Sequence, residues 1–334
     1  MAPAALLAAT ADLHSTPWGA RVTTERGISA PALDRIDHAV DALAGRTLAV
    51  LTGAGVSTDS GIPDYRGSGA PRRQPMTVQT FLAHEEARRR YWLGSHLGWR
   101  RFTAVAPNAG HRALAALEAR GVVTGVVTQN VDGLHLDAGS RAVVELHGDM
   151  RTVSCLDCTA QFPRAEVAAW IERDNPFITV PDEIELGPDG DVLPESWERM
   201  SVPACTACRG TLRPDVVFFG EYVAADRRAA AEAIVDDAEA LVVAGSSLVV
   251  NSGLRLVERA RRRGVPIVII NRGPTKGDRR ATVRVEAGTS EALTALLALA
   301  PRTRDASGVV HAAAVANASV EMGDGAAPAT PMRY

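Results

Sequence analysis

The chain carries a glycine-rich segment at Gly53-Ala-Gly-Val-Ser-Thr-Asp-Ser-Gly-Ile-Pro-Asp-Tyr-Arg-Gly67, directly after the apolar run TLAVLT at 47–52. The apolar run predicts a short buried strand. Glycines that follow such a strand allow the backbone to approach a pyrophosphate closely. The segment departs from the dehydrogenase fingerprint, because Thr58 stands where a third glycine would fall and no acidic residue follows a second strand. It indicates a nucleotide-binding turn, with a tight turn that binds no ligand as the alternative.

Polar groups follow several other predicted strands. Thr128-Gln-Asn-Val-Asp-Gly-Leu-His135 comes after an apolar run at 122–128, and His147-Gly-Asp149 comes after one at 143–146. Gly245-Ser-Ser247 and Asn271 follow two later runs. Because the carboxyl ends of parallel strands meet at one edge of an open α/β sheet, a dinucleotide across that edge would contact all of them.

Histidine 147 is the residue in this set that can move a proton near neutral pH. An isolated histidine after a strand is usually a core residue, but His147 is expected on the same sheet edge as Asn130. His111 and His135 have no such neighbours in the sequence pattern, so we interpret them as structural. Trp92 and Trp99 are interpreted as core residues.

Strands alternate with helices over most of the chain, which predicts an α/β fold with a doubly wound, parallel, Rossmann-like sheet. A smaller zinc-binding module and a helical insertion complete the expected fold. The expected divisions are a disordered segment 1–30, a catalytic domain 31–300 and a flexible tail 301–334. Within the domain we expect the Rossmann-like core at 31–66, 104–150 and 214–300, the helical insertion at 67–103 and the zinc module at 151–213.

The four cysteines form two CxxC pairs, Cys155-Leu-Asp-Cys158 and Cys205-Thr-Ala-Cys208. Two such turns can complete a tetrahedral sulfur cage around Zn²⁺, and four protein sulfurs leave no position for water or substrate. The metal is therefore expected to be structural. Disulfides and a redox-active CxxC are the alternatives. The proline- and glycine-containing residues 159–204 between the pairs are expected to form an extended loop.

Composition restricts the possible partners and compartment. The net charge of −3 gives no electrostatic footprint for nonspecific nucleic-acid binding. The sequence has no apolar run of about eighteen residues, as a membrane-spanning helix would need, so no membrane partner is expected. The apolar N-terminus lacks the basic region of a signal peptide, which favours a cytoplasmic location.

Taken in order, these motifs resemble those of the sirtuins, the NAD-dependent protein-lysine deacylases of the silent-information-regulator type. The resemblance covers about residues 33–300 and includes Val216-Val-Phe-Phe-Gly-Glu221 and Gly245-Ser-Ser-Leu-Val-Val250. Arg90-Tyr-Trp92 and Gly98-Trp99 look like the class II branch, and the chain looks bacterial. The loop at 68–75 lacks the tyrosine with which class III members bind acidic acyl groups, which puts desuccinylase activity in question.

The resemblance implies NAD as a consumed co-substrate and a structural Zn²⁺. The residues it implies for NAD binding are Gly53, Ala54, Gly55, Ser57, Ile62, Asp64, Tyr65, Arg66, Gln129, Asn130, Asp132, Gly245, Ser246, Ser247 and Asn271. The implied catalytic residues are His147, Asn130 and Asp132, with His147 as a general base on the ribose hydroxyls. Val216, Val217, Phe218, Phe219 and Gly220 are implied to pair with the substrate backbone.

The expected reaction gives nicotinamide, deacylated lysine and 2′-O-acyl-ADP-ribose from acylated-lysine proteins. Acetyl, longer fatty acyl, lipoyl and biotinyl groups all remain possible, and the sequence leaves the protein targets and the oligomeric state open. A protein mono-ADP-ribosyltransferase is the alternative, and an NAD-sensing module without turnover is a third hypothesis. His147 favours deacylation, because glycosyl transfer alone needs no base on the 2′-hydroxyl.

Overall fold

Nine strands form two sheets in the computed structural model, which describes residues 30–65, 75–179, 187–189, 191–192 and 197–299. In chain order the strands are β1 Leu48–Thr52, β2 Val123–Thr128, β3 Val143–Glu145, β4 Gly148–Cys155, β5 Gln161–Pro163, β6 Leu212–Val216, β7 Ala240–Ala244, β8 Ile267–Ile270 and β9 Val283–Val285. The larger sheet has the order β3-β2-β1-β7-β8-β9, and all its pairings are parallel.

This strand order reverses direction between β1 and β7, which lie side by side with Thr52 opposite Ala244. In open α/β sheets a ligand binds in the crevice that such a switch point creates outside the carboxyl ends of the strands. Strands β1, β7 and β8 are buried along their whole length, as expected for a parallel sheet that is covered on both faces. The predicted doubly wound α/β fold is confirmed.

Helices cover both faces of the larger sheet. The helices in chain order are α1 Ala30–Leu43, α2 Val78–Ala83, α3 Glu85–Thr103, α4 Ala109–Ala119, α5 Leu134–Asp137, α6 Arg164–Asp174, α7 Ala225–Asp237, α8 Asn251–Arg263 and α9 Thr289–Leu299. Residues of α1, α4 and α9 form one apolar core with the sheet, and residues of α7 and α8 form a second core on the opposite face. None of the described helices is long and apolar enough to cross a membrane.

The smaller sheet has the order β5-β4-β6 and is antiparallel. Its apolar core includes Val153 of β4, Ile171 of α6 and Trp92 of α3, so the helical segment after the first motif packs on this module. The zinc module was expected at residues 151–213. Strand β4 begins three residues before this range and β6 ends three residues after it, so both strands cross its boundaries.

The expectation that residues 159–204 form one extended loop is wrong for their first part, which contains β5 and α6. Val167, Ala168 and Ile171 are buried at helical spacing, so burial of one apolar stripe accounts for the helix. Residues 180–186, 190 and 193–196 lie outside the described residues, as do the expected N-terminal segment up to residue 29 and the tail from residue 300.

Candidate active site

The turn after β1 and the turn after β7 are in direct contact. The backbone N–H of Gly55 donates to the carbonyl of Gly245 at 2.9 Å. Gly245 has φ +65°, and a Cβ on it would lie 2.5 Å from the carbonyl carbon of Gly55. Only glycine therefore fits this position without displacing the neighbouring turn. The two glycine turns thus meet at the switch point, where the fold predicts the ligand.

Polar side chains from the end of β2 join this contact. Ser57 Oγ donates to Asp132 Oδ2 at 2.6 Å, and Asn130 Nδ2 donates to Ser57 Oγ at 3.0 Å. Ser246 Oγ donates to Gln129 Oε1 at 2.6 Å. The structure therefore brings together residues from three strand ends that the sequence predicted to converge. Gln129, Asn130 and Asp132 are half-buried.

The side chain of His147 is held through both ring nitrogens. Nδ1 lies 2.9 Å from the carbonyl oxygen of Gln129, and Nε2 lies 2.8 Å from Ser252 Oγ. A carbonyl oxygen only accepts hydrogen bonds, so we assign the proton of the neutral ring to Nδ1. Burial lowers the pKa of His147 below its ordinary value of 6.5, against the hydrogen bond to Gln129, which raises it. The ring is therefore neutral near pH 7, with Nε2 as the basic nitrogen.

The other predicted NAD-binding residues occupy different surroundings. Ile62 is buried in an apolar cluster with Val131 and Leu134. Tyr65 donates a hydrogen bond to Asp189 through its hydroxyl.

Asn271 Nδ2 donates to the carbonyl oxygens of the two residues at 272 and 273, so this side chain shapes its own loop. Ala54 lies in the first turn, Ser247 in the second, and Asp64 is half-buried beside Tyr65. Arg66 lies outside the described residues.

The segment predicted to bind substrate runs past His147. Val216 ends β6, and the backbone N–H of Val217 donates to the carbonyl of His147 at 2.8 Å. Phe218 is buried and stacks on Phe81 with ring centroids 4.9 Å apart. Phe219 is exposed, and its carbonyl accepts from the backbone N–H of residue 78 at 3.0 Å. Gly220 follows with φ +82°.

The four cysteine sulfurs lie within 4.8 Å of one another. The Sγ atoms of Cys155 and Cys208 are 3.6 Å apart, as are those of Cys158 and Cys205. Tetrahedral zinc with Zn–S bonds of about 2.3 Å requires sulfur–sulfur distances of about 3.8 Å. The sulfur donors therefore fit one zinc ion, as predicted, and the closed set of four thiolates leaves it a structural role.

The sequence patterns did not identify Asn108, which is hydrogen-bonded to the glycine-rich segment after β1. Its Nδ2 donates to the carbonyl of Val56 at 2.7 Å and to Ser60 Oγ at 3.0 Å. Its Oδ1 accepts from the backbone N–H of Gly110 and caps α4. An asparagine just before a helix is a recognisable N-cap signal, but nothing local indicates the contacts with Val56 and Ser60.

His111 and His135, interpreted as structural from the sequence, are both buried, with ring centroids 4.8 Å apart. His135 Nε2 lies 2.9 Å from Oγ1 of Thr52, the last residue of β1. Ser252 was also not identified, although it contacts His147. Its partner is distant in the sequence, and a serine near the start of a helix gives no signal of such a contact.

These features indicate an enzyme that uses a dinucleotide. The switch point of the doubly wound sheet carries two glycine turns, amide and carboxylate side chains and a neutral histidine. The chain belongs to the Sir2 family, whose model matches residues 53–252. It is 52% identical over 263 residues to NAD-dependent protein deacetylase 1 of Mycobacterium avium (strain 104), covering 78% of this chain and 93% of the relative. It is 49% identical over 268 residues to NAD-dependent protein deacetylase 1 of Streptomyces coelicolor, covering 79% and 89%.

Solved Sir2 structures share the fold. A Sir2–p53 peptide–NAD⁺ complex matches with a TM-score of 0.63 and 31% identity, covering 78% of this chain and 95% of that chain. A structure of Sir2 bound to acetylated peptide matches with a TM-score of 0.62 and 29% identity, covering 78% and 95%. The family expected from the sequence motifs is thereby confirmed.

Proposed function

We propose that this protein removes acyl groups from protein lysines with consumption of NAD, and that the crevice around Gln129, Ser57 and His147 is its active site. The observation that carries the assignment of the site is the neutral His147, whose Nδ1 is held by the carbonyl of Gln129 at the end of β2 and whose basic Nε2 lies beside Ser252 at the start of α8. The deacetylase activity named for the relatives favours deacylation over ADP-ribosyl transfer.

The residues at the crevice fit NAD. Amide and carboxylate groups of Asn130 and Asp132 suit the hydroxyls of the nicotinamide ribose, and the close approach of the turns at Gly55 and Gly245 suits a pyrophosphate. When bound, NAD would supply an activated glycosidic carbon with nicotinamide as its leaving group. Ile62 and Asp64 would hold the carboxamide, and Asn271 the adenosine end.

His147 would accept a proton from a ribose hydroxyl. Its Nδ1–H is fixed by the carbonyl of Gln129, so the ring cannot turn without losing that hydrogen bond. The lowered pKa keeps Nε2 unprotonated at neutral pH. A positioned base of this kind typically contributes about 10²–10⁴-fold to the rate.

The segment from Val216 to Gly220 would receive the substrate peptide. Its start is fixed to the backbone of His147, so a peptide paired along this segment would lie next to the base. Main-chain pairing of this type gives affinity without demanding a particular side-chain sequence. We expect acylated proteins of varied sequence as substrates. The zinc ion would hold the smaller sheet, and with it β6, in place.

Replacement of His147 by alanine tests the assignment. We expect His147→Ala to lower turnover about 10²–10⁴-fold, because it removes the base, while the affinity for NAD stays within a few fold. The exposed His38 on α1 offers a control, since His38→Ala removes an imidazole from a helix that supplies none of the crevice residues named above. Steady-state turnover of an acetyl-lysine peptide and calorimetric NAD binding give the two readouts. Near-normal turnover of His147→Ala would contradict the proposal.

A further inference from the structure

The hydroxyl of Ser252 is hydrogen-bonded to the basic nitrogen of His147. It lies in the first turn of α8, is half-buried, and places Oγ 2.8 Å from Nε2. The other ring nitrogen faces the carbonyl of Gln129 at 2.9 Å and carries the proton. Nε2 of the neutral ring has a single lone pair, so the Ser252 hydroxyl donates its hydrogen bond to that lone pair. A ribose hydroxyl cannot donate to Nε2 while Ser252 does.

The position of Ser252 is fixed by its neighbours. Gly253, the next residue of α8, lies against the Gln129 side chain, and a Cβ on Gly253 would be 2.8 Å from Gln129 Nε2. The same Gln129 side chain accepts from Ser246 Oγ, and its backbone carbonyl contacts His147. Gln129 therefore links the start of α8, the turn after β7 and the histidine. Ser252 stands next to this set and contacts Nε2 of His147.

We propose that Ser252 is a catalytic residue that relays a proton from the ribose hydroxyl to His147, an inference that rests on the proposed function. The ribose O–H proton moves to Ser252 Oγ as the Ser252 hydroxyl proton moves to Nε2. The O–H bond of the ribose breaks, a new O–H bond forms on Ser252, and the serine hydroxyl is restored. The histidine ends protonated on both nitrogens, and the ribose oxygen is left with its electron pair as the nucleophile.

Because a hydroxyl can donate to a neutral imidazole and accept from a protonated one, Ser252 can remain bonded to Nε2 before and after the transfer. A hydrogen bond that involves the charged ring is the stronger of the two. The serine thus stabilises the protonated histidine that the transfer creates. Loss of the hydroxyl removes both the path and this stabilisation.

Three forms of the full-length protein test the relay: wild type, Ser252→Ala and Ser252→Thr. We expect Ser252→Ala to lower kcat for release of deacylated peptide at least about tenfold, since general acid–base steps contribute 10²–10⁴-fold. The KM for NAD should change less than about threefold, and Ser252→Thr, which keeps the hydroxyl, should retain most of the turnover. Exchange of labelled nicotinamide into NAD, which precedes use of the base, should persist in all three.

A proton inventory in mixtures of H₂O and D₂O gives a second readout. Its shape would not depend on Ser252 if this serine had only a structural role. Two protons in flight predict a curved dependence of kcat on deuterium fraction for wild type and for Ser252→Thr. Equal turnover of Ser252→Ala and wild type, or a linear inventory for wild type, would overturn the relay and show that the ribose hydroxyl displaces Ser252. Failure of wild type to deacylate any peptide would instead reject the proposed function.

Discussion

Ser57 Oγ donates a 2.6 Å hydrogen bond to Asp132 Oδ2 and thereby joins two loops that are 75 residues apart in the chain. The same hydroxyl accepts from Asn130 Nδ2 at 3.0 Å, so one small side chain sets the relative position of two residues at the end of β2. Asp132 is further fixed by accepting from the backbone N–H of Leu134 at 3.0 Å. These hydrogen bonds hold Ser57, Asn130 and Asp132 together without any ligand.

Loss of the Ser57 hydroxyl should therefore impair use of NAD. A hydrogen bond to a charged group contributes about 1.5–3 kcal/mol, so we expect Ser57→Ala to lower kcat/KM for NAD about 10- to 100-fold. Thr58→Ala is the matched control, because Thr58 is exposed and its hydroxyl contacts the backbone of its own turn. Steady-state kinetics with varied NAD measures the effect. Equal values for the two variants would mean that Ser57 does not organise the site.

Contact between the two glycine turns predicts a second effect. Gly245→Ala places a Cβ at 2.5 Å from the carbonyl carbon of Gly55, and φ is +65°. Gly264 has a similar φ of +72° but nothing within 4 Å of its Cβ position. The left-handed conformation alone costs about 1–2 kcal/mol for a residue with a side chain. Gly264→Ala should show only this loss of unfolding free energy, while Gly245→Ala should lose more stability and also bind NAD more weakly.

Urea unfolding and NAD titration of both glycine variants distinguish the cost of the left-handed backbone conformation from the steric overlap of the new Cβ with the turn at Gly55. If Gly245→Ala lost no more stability than Gly264→Ala and bound NAD normally, the close packing of the two turns would be refuted.

Removal of zinc should unfold the smaller sheet. Cys155 ends β4 and contributes one of four sulfurs that lie within 4.8 Å of one another, so Cys155→Ser leaves an incomplete cage. We expect this variant, and wild type after chelation, to lose the metal and to melt at a lower temperature. Leu156→Ser is the control, since Leu156 is exposed in the same turn. A Cys155→Ser protein without zinc but with an unchanged Tm would rule out a structural zinc.

Buried neutral histidines predict the pH dependence of stability. Burial, with Arg164 and Arg100 nearby, lowers the pKa of His96 to about 4, and burial lowers that of His135 to about 3. Between these values and the ordinary 6.5 the unfolded chain binds protons that the folded chain does not. The free energy of unfolding should therefore fall as the pH drops from about 6.5 towards about 4, by up to about 3 kcal/mol from His96 alone.

Urea unfolding of wild type, His96→Gln and the exposed-site control His38→Gln at several pH values checks this sign. Glutamine cannot titrate, so His96→Gln should show a shallower loss of stability at acidic pH, whatever its stability at pH 7. If the free energy of unfolding of His96→Gln fell with decreasing pH as steeply as that of His38→Gln, His96 would not be the cause of the acid-induced loss of stability.

Much of the fold was accessible from local patterns. The apolar run at 47–52 predicted β1 Leu48–Thr52 within a residue. Convergence of Ser57, Asn130 and Asp132 also followed, because the carboxyl ends of parallel strands share an edge. Helix α6 was missed, since prolines and glycines later in the same segment indicated a loop.

Contacts between distant segments could not be predicted in the same way. Ser252 meets His147 across 105 residues, and Asn108 meets Val56 across 52. Such pairs depend on how helices pack against the finished sheet. A serine near a helix start or an asparagine before a helix has the same local sequence signal whether or not it reaches a distant partner.

The most direct measurement of the central claim follows both products in one mass-spectrometric assay. The protein is incubated with NAD and one peptide that carries acetyl-, butyryl-, myristoyl-, lipoyl- or succinyl-lysine in turn. We expect free lysine peptide to appear together with an equal amount of O-acyl-ADP-ribose for at least one acyl group, and not with His147→Ala. Release of nicotinamide without deacylated peptide, with ADP-ribose attached to protein, would contradict the deacylase assignment.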